Sequence, residues 1–221
     1  MRTLISRIAG GEIEILGDAE IAFEDVFGDG PGIVVNAGTG SFAYGRNANG
    51  EPGRAGGWGH SISDEGSGYW IGIEAIKDAL QERDRKKESA FLNQLMEGFG
   101  AKDFDDFIVR VNANPAPDFG DLFPVVLSAA DNGNGLANNV LDRAGQELAN
   151  LATTIIQQLF GETTVSLAIH GGVLRSSQRV REEFAKHLRS RYAKVLIKDE
   201  AIDPARGALT RARRTFKKRQ S

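Results

Sequence analysis

The sequence predicts an α/β fold in which helices flank a mixed β-sheet. Three observations favour this class. Short apolar segments of strand length lie between glycine-rich turns in the first third of the chain, and long segments with a helical apolar period follow them. The chain then closes with a strand–helix–strand–helix order. Because such an order packs helices against the faces of one sheet, we expect a layered architecture.

The early elements are predicted from local patterns and turn residues. Residues 18–27 place apolar side chains on one helical face before a glycine, and residues 33–35 are a short apolar run typical of a buried strand. The predicted order is a strand over 12–16, the helix 18–27, strands 33–35 and 41–46, a hairpin turn at 47–50 and a third strand.

The later elements are mostly helical. The clearest period spans residues 136–160, where Leu136, Val140, Ala144 and Leu148 recur on one face. The other predicted elements are helices over 64–85, 103–111, 119–130 and 176–189, strands over 163–169 and 194–197, and a last helix beginning near Pro204.

Composition narrows the class of protein. Of the 221 residues 41% are hydrophobic and 26% are charged, so the chain can bury a core without a metal or disulfide. It has no cysteine, which excludes disulfides, thiolate catalysis and cysteine-held metal clusters. We find neither a signal peptide nor an apolar run near the roughly 20 residues of a membrane span. A cytoplasmic protein without a membrane partner is expected, and the three histidines have no metal-ligand spacing.

Charge argues against nucleic acid as a general partner, because the net charge is −3. Cations crowd one segment near the end of the chain. A solvated C-terminal helix end explains them best, and a tail that binds phosphate or nucleic acid is the alternative. These cations are Arg211, Arg213, Arg214, Lys217, Lys218 and Arg219.

Glycine is concentrated between Gly28 and Gly72. Glycine allows the backbone to approach a ligand closely, whereas a flexible linker would also be rich in it. Large apolar residues such as Ile33, Trp58 and Tyr69 among the glycines favour the first interpretation. Within this region, residues 38–41 (Gly-Thr-Gly-Ser) offer N–H groups and hydroxyls that suit a phosphate or sugar oxygen, although a tight hairpin explains them equally well.

Three further residues have a functional and a structural interpretation each. Trp58 lies between glycines, so it could lie flat over a small ligand or pack in the core. Asp64 stands near a predicted helix start, where an N-cap is as plausible as a ligand-binding carboxylate. Asp18 also opens a helix, and an N-cap is the better interpretation in isolation. The alternative for Asp18 is a base that accepts a proton from a substrate hydroxyl.

Taken together, the segments 17–19, 32–41 and 56–70 resemble the BadF/BadG/BcrA/BcrD ATPase family, and within it the N-acetylglucosamine kinases. Residues 170–176 are similar to the turn at the family's adenosine site, and residues 204–208 to its closing segment. The absence of the cysteines that bind an iron–sulfur cluster in the family's dehydratase activators favours the sugar-kinase branch.

The resemblance implies a ribonuclease H-like ATPase fold of two lobes, of which this chain would be the C-terminal one, with ATP, Mg²⁺ and an amino sugar in the cleft. It implies that Asp18 is the catalytic base. The residues implied to hold the sugar are Ser41, Phe42, Gly57, Trp58, Gly59 and Asp64. Those implied to lie near ATP are Thr39, Gly40, Asp131, Gly171 and Gly172.

One departure from the family's pattern concerns the phosphate motif. Family members carry an Asp-Gly-Gly-Gly-Thr hairpin and a substantial lobe before the aspartate, whereas Met1 stands 17 residues before Asp18 here. We therefore expect residues 1–28 to be a remnant of the N-terminal lobe and residues 29–221 to be the C-terminal lobe. The first hypothesis is a kinase for N-acetylglucosamine or glucosamine that is inactive alone. The second is a non-catalytic sugar- or nucleotide-binding protein or a subunit completed in trans. The expected protein partner is a second copy of the chain, in a homodimer, or the N-terminal lobe supplied in trans.

Overall fold

The computed structural model describes residues 14–85, 89–161, 164–198 and 201–218. In chain order its helices and strands are α1 (Asp18–Phe27), β1 (Gly32–Ala37), β2 (Ser41–Arg46), β3 (Pro52–Gly56), α2 (Gly68–Asp84), α3 (Ala90–Gly98), α4 (Phe104–Val111), a 3-10 helix (Phe119–Leu122), α5 (Phe123–Asp131), α6 (Gly135–Leu159), β4 (Val165–His170), α7 (Gly172–Ser176), α8 (Gln178–Arg191), β5 (Val195–Lys198) and α9 (Pro204–Lys218).

The strands of the described residues form one mixed sheet in the order β3-β2-β1-β4-β5. β1, β2 and β3 are antiparallel neighbours, whereas β1, β4 and β5 run parallel. The central strand β1 has Ile33, Val34 and Val35 fully buried, as expected when helices cover both faces of a strand. The predicted α/β class with a mixed sheet and flanking helices is confirmed.

The larger core lies on the face of the sheet that α6 covers. α6 packs against β1, β2 and β3, and its Val140, Ala144, Leu148 and Ile155 are fully buried. Val140, Ala144 and Leu148 belong to the apolar period predicted from the sequence. At Gly45 of β2 an added Cβ would lie 2.6 Å from the side chain of Ile155, so this glycine allows α6 to lie close to the sheet.

The opposite face of the sheet is covered by α1, and α9 packs on the outer side of α1. A smaller apolar cluster forms there around Phe23 of α1, with Val34 and Ala168 from the sheet and Ile202 from the segment before α9. The two helices cross closely, because a Cβ on Gly207 of α9 would lie 2.2 Å from the carbonyl oxygen of Ile21. The sheet therefore has helices on both faces, and α1 is held between the sheet and α9.

The helix predicted from Asp64 begins four residues later, at Gly68, where Ser67 is the N-cap. Asp64 has a φ of 70°, which lies in the left-handed region and is incompatible with a helix. The N-cap interpretation of Asp64 is therefore wrong, and the chain instead makes a turn over residues 64–67 before α2 begins.

Other boundaries also differ from the prediction. Residues 12 and 13 of the first predicted strand lie outside the described residues, as does residue 163, and residues 14–17 join no strand. The single helix predicted over 119–130 is a 3-10 helix followed by α5, and a proline in the first turn of α5 accompanies the change. Two short helices, α3 and α7, were not predicted from the sequence.

A buried carboxylate connects α1, β2 and α9. Glu24 is only 4% exposed, and it accepts hydrogen bonds from Arg46 at 3.3 Å, from Arg211 at 3.2 Å and from Arg214. A buried carboxylate requires such partners, since an unpaired charge in this position is strongly destabilising. Neither interpretation of the C-terminal cations describes Arg211 and Arg214, because they bind an acidic residue of the same chain.

A second ion pair joins the same two helices. Arg206 of α9 donates from Nε and Nη2 to both carboxylate oxygens of Asp25, at 2.5 and 2.7 Å. These bonds are the main cause of the lowered pKa of Asp25, so its carboxylate stays charged in the folded protein. The last helix is therefore attached to α1 by charge pairs as well as by close packing.

We predict that Gly207→Ala destabilises the protein by about 1–3 kcal/mol, because the added methyl group collides with backbone that cannot move aside easily. Urea denaturation followed by circular dichroism measures the change. Gly135→Ala is the matched control, since an added Cβ at Gly135 meets nothing within 4 Å. We expect the control to change stability by less than about 1 kcal/mol. Equal denaturation midpoints for the two variants would contradict the close crossing of α1 and α9.

Candidate active site

A cleft of about 640 Å³ opens between the N-terminus of α1, the β2–β3 hairpin and the loop that follows β3. Its volume is in the range of small-molecule sites. The residues that line it are Gly17, Asp18, Ala19, Glu20, Asn36, Gly40, Ser41, Phe42, Tyr44, Arg54, Gly57, Gly59 and Asp64.

The hairpin contributes one of its two faces to the cleft. Side chains alternate along a strand, and in β2 the alternation buries Ala43 in the main core while Phe42 and Tyr44 face the other way. Tyr44 pairs across the strands with Arg54, which places both side chains on the cleft side. Burial is the main cause of the raised pKa of Tyr44, so this phenol stays protonated at neutral pH.

Hydrogen bonds join the turn after β1 to the segment before α2. The N–H of Gly68 donates to the carbonyl oxygen of Gly38 at 2.8 Å, and the Ser41 hydroxyl donates to the carbonyl oxygen of Glu65 at 2.7 Å. The N–H of Ser41 donates to Oδ1 of Asp64 at 3.3 Å. Two of the sequence motifs, 38–41 and 56–68, are therefore physically linked at the wall of the cleft.

Asp64 is held tightly in this wall. Its side chain lies so close to Gly40 that an added Cβ there would be 3.0 Å from Oδ2 of Asp64. Asp64 as a whole is 8% exposed, although it lines the cleft. The carboxylate has more acceptor sites than the one Ser41 N–H uses, so it can still accept hydrogen bonds from a ligand.

Asp18 is the first residue of α1, and the residue in the N-cap position is Gly17. The Gly17 N–H donates to Oε2 of Glu20 at 2.7 Å, so the capping contact at this helix start is made by Glu20. The N-cap interpretation of Asp18 is therefore wrong. Its carboxylate accepts no hydrogen bond from the described residues, and it lies exposed at the cleft, where the helix N-terminus favours a negative charge.

Trp58 does not pack in the core, since it is 67% exposed. The Arg54 guanidinium lies over its ring at 5.1 Å from the ring centroid. The indole is not among the groups that line the cleft, although its neighbours Gly57 and Gly59 are. The core interpretation of Trp58 is thus wrong, and contact with a ligand stays a prediction.

Of the residues expected near ATP, only Gly40 lines the cleft. Thr39 is exposed in the turn after β1, and Gly171 and Gly172 follow β4, the parallel neighbour of β1. Because the carboxyl ends of parallel neighbours meet at one edge of a sheet, these turns share that edge. Asp131 is the exposed last residue of α5 and does not line the cleft.

Several residues that line the cleft were not predicted from the sequence. Asn36, Glu20, Tyr44 and Arg54 all line the cleft. Asn36 could have been noticed as the one polar residue of an otherwise apolar strand. Tyr44 and Arg54 required the pairing register of β2 and β3, which no local pattern supplies.

Two features of the described residues concern metal ions and membranes. Within these ranges no three His, Asp or Glu side chains come together as a possible metal site. A Mg²⁺ ion bound with ATP is usually held by only one or two carboxylates together with the phosphates, so the absence of a three-residue cluster among the described residues does not bear on that ion. The helices that the structure describes include none that is long and apolar enough to cross a membrane.

The fold is the ribonuclease H-like ATPase lobe shared by solved sugar kinases. Residues 7–212 match the BadF/BadG/BcrA/BcrD ATPase family, and the chain belongs to this family. The expected family is therefore confirmed.

Individual relatives are kinases. The chain is 37% identical over 207 residues to the N-acetylmuramic acid/N-acetylglucosamine kinase of Clostridium acetobutylicum, covering 92% of this chain and 68% of that one. It is 28% identical over 183 residues to the N-acetyl-D-glucosamine kinase of Dictyostelium discoideum, covering 80% of this chain and 57% of that one. A crystal structure of a candidate N-acetylglucosamine kinase from Chromobacterium violaceum matches with a TM-score of 0.75 and 26% identity, covering 94% and 69% of the two chains. The chain thus spans from 57% to 69% of the length of these relatives.

We predict that Asp64→Ala destabilises the protein by about 1–2 kcal/mol, whereas Asp64→Asn costs less than about 1 kcal/mol. Alanine disfavours the left-handed backbone and leaves the Ser41 N–H without its acceptor. Asparagine tolerates this backbone, and its amide oxygen can accept the same bond. Urea denaturation measures both changes, and equal losses for the two variants would contradict the structural role given to this side chain.

Proposed function

We propose that this chain is the sugar-binding lobe of an ATP-dependent kinase for an amino sugar, N-acetylglucosamine or glucosamine. The observation that carries the proposal is that the sugar-site candidates Ser41, Phe42 and Asp64 line one cleft together with Asp18. In a kinase of this kind the acceptor sugar must lie beside a group that activates its hydroxyl. The kinase names of the relatives support the same conclusion.

The sugar would be held mainly by the wall that contains Asp64. Hydroxyls of a sugar donate hydrogen bonds to a carboxylate, and the position of Asp64 is fixed beforehand by Ser41 and Gly40. Phe42 offers an apolar surface to the same cleft, and the N–H groups of Gly57 and Gly59 lie in the loop at its edge. A fixed site loses little conformational entropy on binding, which favours affinity for a small polar ligand.

Asp18 would act as the general base for the attacking hydroxyl. It faces the cleft, and no described residue donates a hydrogen bond to its carboxylate. A free carboxylate can accept the hydroxyl proton as the bond to phosphorus forms. Glu20 is the other carboxylate of this helix start, but the Gly17 N–H already occupies one of its oxygens.

ATP would bind beside the sugar, at the sheet edge shared by β1 and β4. Thr39 and Gly40 at the first turn and Gly171 and Gly172 at the second would contact the nucleotide, and Asp131 would lie nearby. The ion expected with ATP is Mg²⁺, which neutralises phosphate charge. Residues 1–28, with Asp18, would belong to the N-terminal lobe and residues 29–221 to the C-terminal lobe.

We further propose that efficient turnover needs phosphate-binding groups from outside these 221 residues. The 221 residues contain no Asp-Gly-Gly-Gly-Thr sequence, which is the phosphate motif of the family that the sequence resembles. Stabilisation of the transferring phosphoryl group depends on such donors and on the metal. The second candidate function follows from the same observation: the chain alone would bind a sugar without turnover, as a homodimer or as a subunit completed in trans.

A binding titration and an activity assay test the proposal. We expect isothermal titration to detect weak binding of N-acetylglucosamine by the chain, and a coupled ADP assay to detect little or no turnover. Fusion to the part of the Clostridium acetobutylicum kinase that this chain does not span should restore turnover. In that fusion Asp18→Asn should lower kcat by about 10²-fold or more, the scale of general base catalysis, and leave sugar affinity unchanged.

The matched control is Asp105→Asn, which makes the same chemical change at an exposed residue of α4 outside the cleft. Its activity should equal that of the parent fusion. Two results would refute the assignment: no binding of any hexosamine, or robust turnover that Asp18→Asn leaves intact.

A further inference from the structure

The charges in the cleft are unevenly distributed. Three carboxylates line it, those of Asp18, Glu20 and Asp64, and Arg54 is the one cationic side chain among its described lining residues. A neutral amino sugar such as N-acetylglucosamine does not need a guanidinium group. The presence of a cation in a cleft rich in carboxylates therefore requires an explanation.

The position of the Arg54 guanidinium is fixed by its neighbours. Nε donates to the carbonyl oxygen of Gly56 at 3.2 Å, Nη2 donates to the carbonyl oxygen of Gly57, and the group lies over the ring of Trp58. These contacts leave Nη1 without a hydrogen bond to any described residue. Arg54 is itself exposed in the edge strand β3, so its free N–H groups can reach a ligand in the cleft.

We propose that Arg54 determines substrate specificity by binding a carboxylate carried on an ether substituent of the amino sugar. The inference rests on the proposed function, since it assigns a substituted hexosamine to the same cleft. Guanidinium groups bind carboxylates through charge-assisted hydrogen bonds, which an unsubstituted sugar cannot form. N-acetylmuramic acid is a hexosamine with this chemistry, because a lactic acid ether replaces one of its hydroxyls.

A phosphate of ATP is the other source of negative charge in such an enzyme. The placement of the residues favours the sugar. Arg54 lies on the hairpin face with Phe42 and Tyr44. Of the nucleotide candidates only Gly40 lines this cleft, whereas Thr39 and Gly171 do not. Because Arg54 is exposed, solvent screens the attraction, and we expect an effect of about tenfold on affinity rather than a larger one.

Isothermal titration of the 221-residue chain tests the inference with four probes: N-acetylmuramic acid, its methyl ester, N-acetylglucosamine and the ATP analogue AMP-PNP. The variants are Arg54→Met and the conservative Arg54→Lys. Arg83→Met is the matched control, because Arg83 also lies over an aromatic ring, that of Phe104, but outside the cleft.

We expect Arg54→Met to weaken binding of N-acetylmuramic acid about tenfold and to change the affinity for N-acetylglucosamine and for the methyl ester less than about twofold. Arg54→Lys should keep part of the preference for N-acetylmuramic acid. Arg83→Met should bind every probe as the unaltered chain does, and the affinity for AMP-PNP should be the same in all variants. An equal loss for both sugars would mark a purely structural role for Arg54, and a loss confined to AMP-PNP would mark a phosphate contact. Either result would overturn the inference while leaving the proposed function standing. If the unaltered chain binds neither sugar, the proposed function fails and the inference fails with it.

Discussion

The site depends on the hydrogen bonds that tie the turn after β1 to the segment before α2. The N–H of Gly68 donates to the carbonyl oxygen of Gly38. The Ser41 hydroxyl donates to the carbonyl oxygen of Glu65, and the Ser41 N–H donates to the carboxylate of Asp64. Ser41 is almost fully buried, so an unmade bond here would leave a polar group without a partner at a cost of about 1–3 kcal/mol. Two segments more than twenty residues apart are thereby joined into one wall of the cleft.

The other side of the cleft is built by α1, which carries Asp18, and its position depends on elements far away in the sequence. Phe23 anchors the helix on the sheet, and Glu24 and Asp25 attach it to β2 and to α9 through arginine pairs. Gly207 then allows α9 to lie directly against α1. The last helix therefore takes part in positioning the proposed base, although it does not line the cleft.

Much of this arrangement could be predicted from the sequence because the signals are local. The apolar period of α6, the turns of the hairpin and the strand–helix–strand–helix order at the end of the chain predicted the fold class, and the segments 17–19, 32–41 and 56–70 indicated the family. The conformation of Asp64 could not be predicted, because its left-handed backbone is stabilised by a partner, Ser41, that is distant in sequence. Arg54 was missed for a similar reason, since only the β2–β3 register places it beside Tyr44. The pairing of Arg211 with Glu24 likewise exists only once α9 packs against α1.

Binding of an amino sugar in this cleft can be measured by NMR, in a titration of the ¹⁵N-labelled chain with N-acetylglucosamine. Even weak binding shifts the amide signals of residues in contact with the ligand. We expect saturable shifts at Gly40, Ser41, Gly57 and Gly59, which line the cleft, and unchanged signals at Gly133, which lies in the exposed turn after α5. No shift at millimolar sugar, or shifts confined to residues outside the cleft, would contradict it.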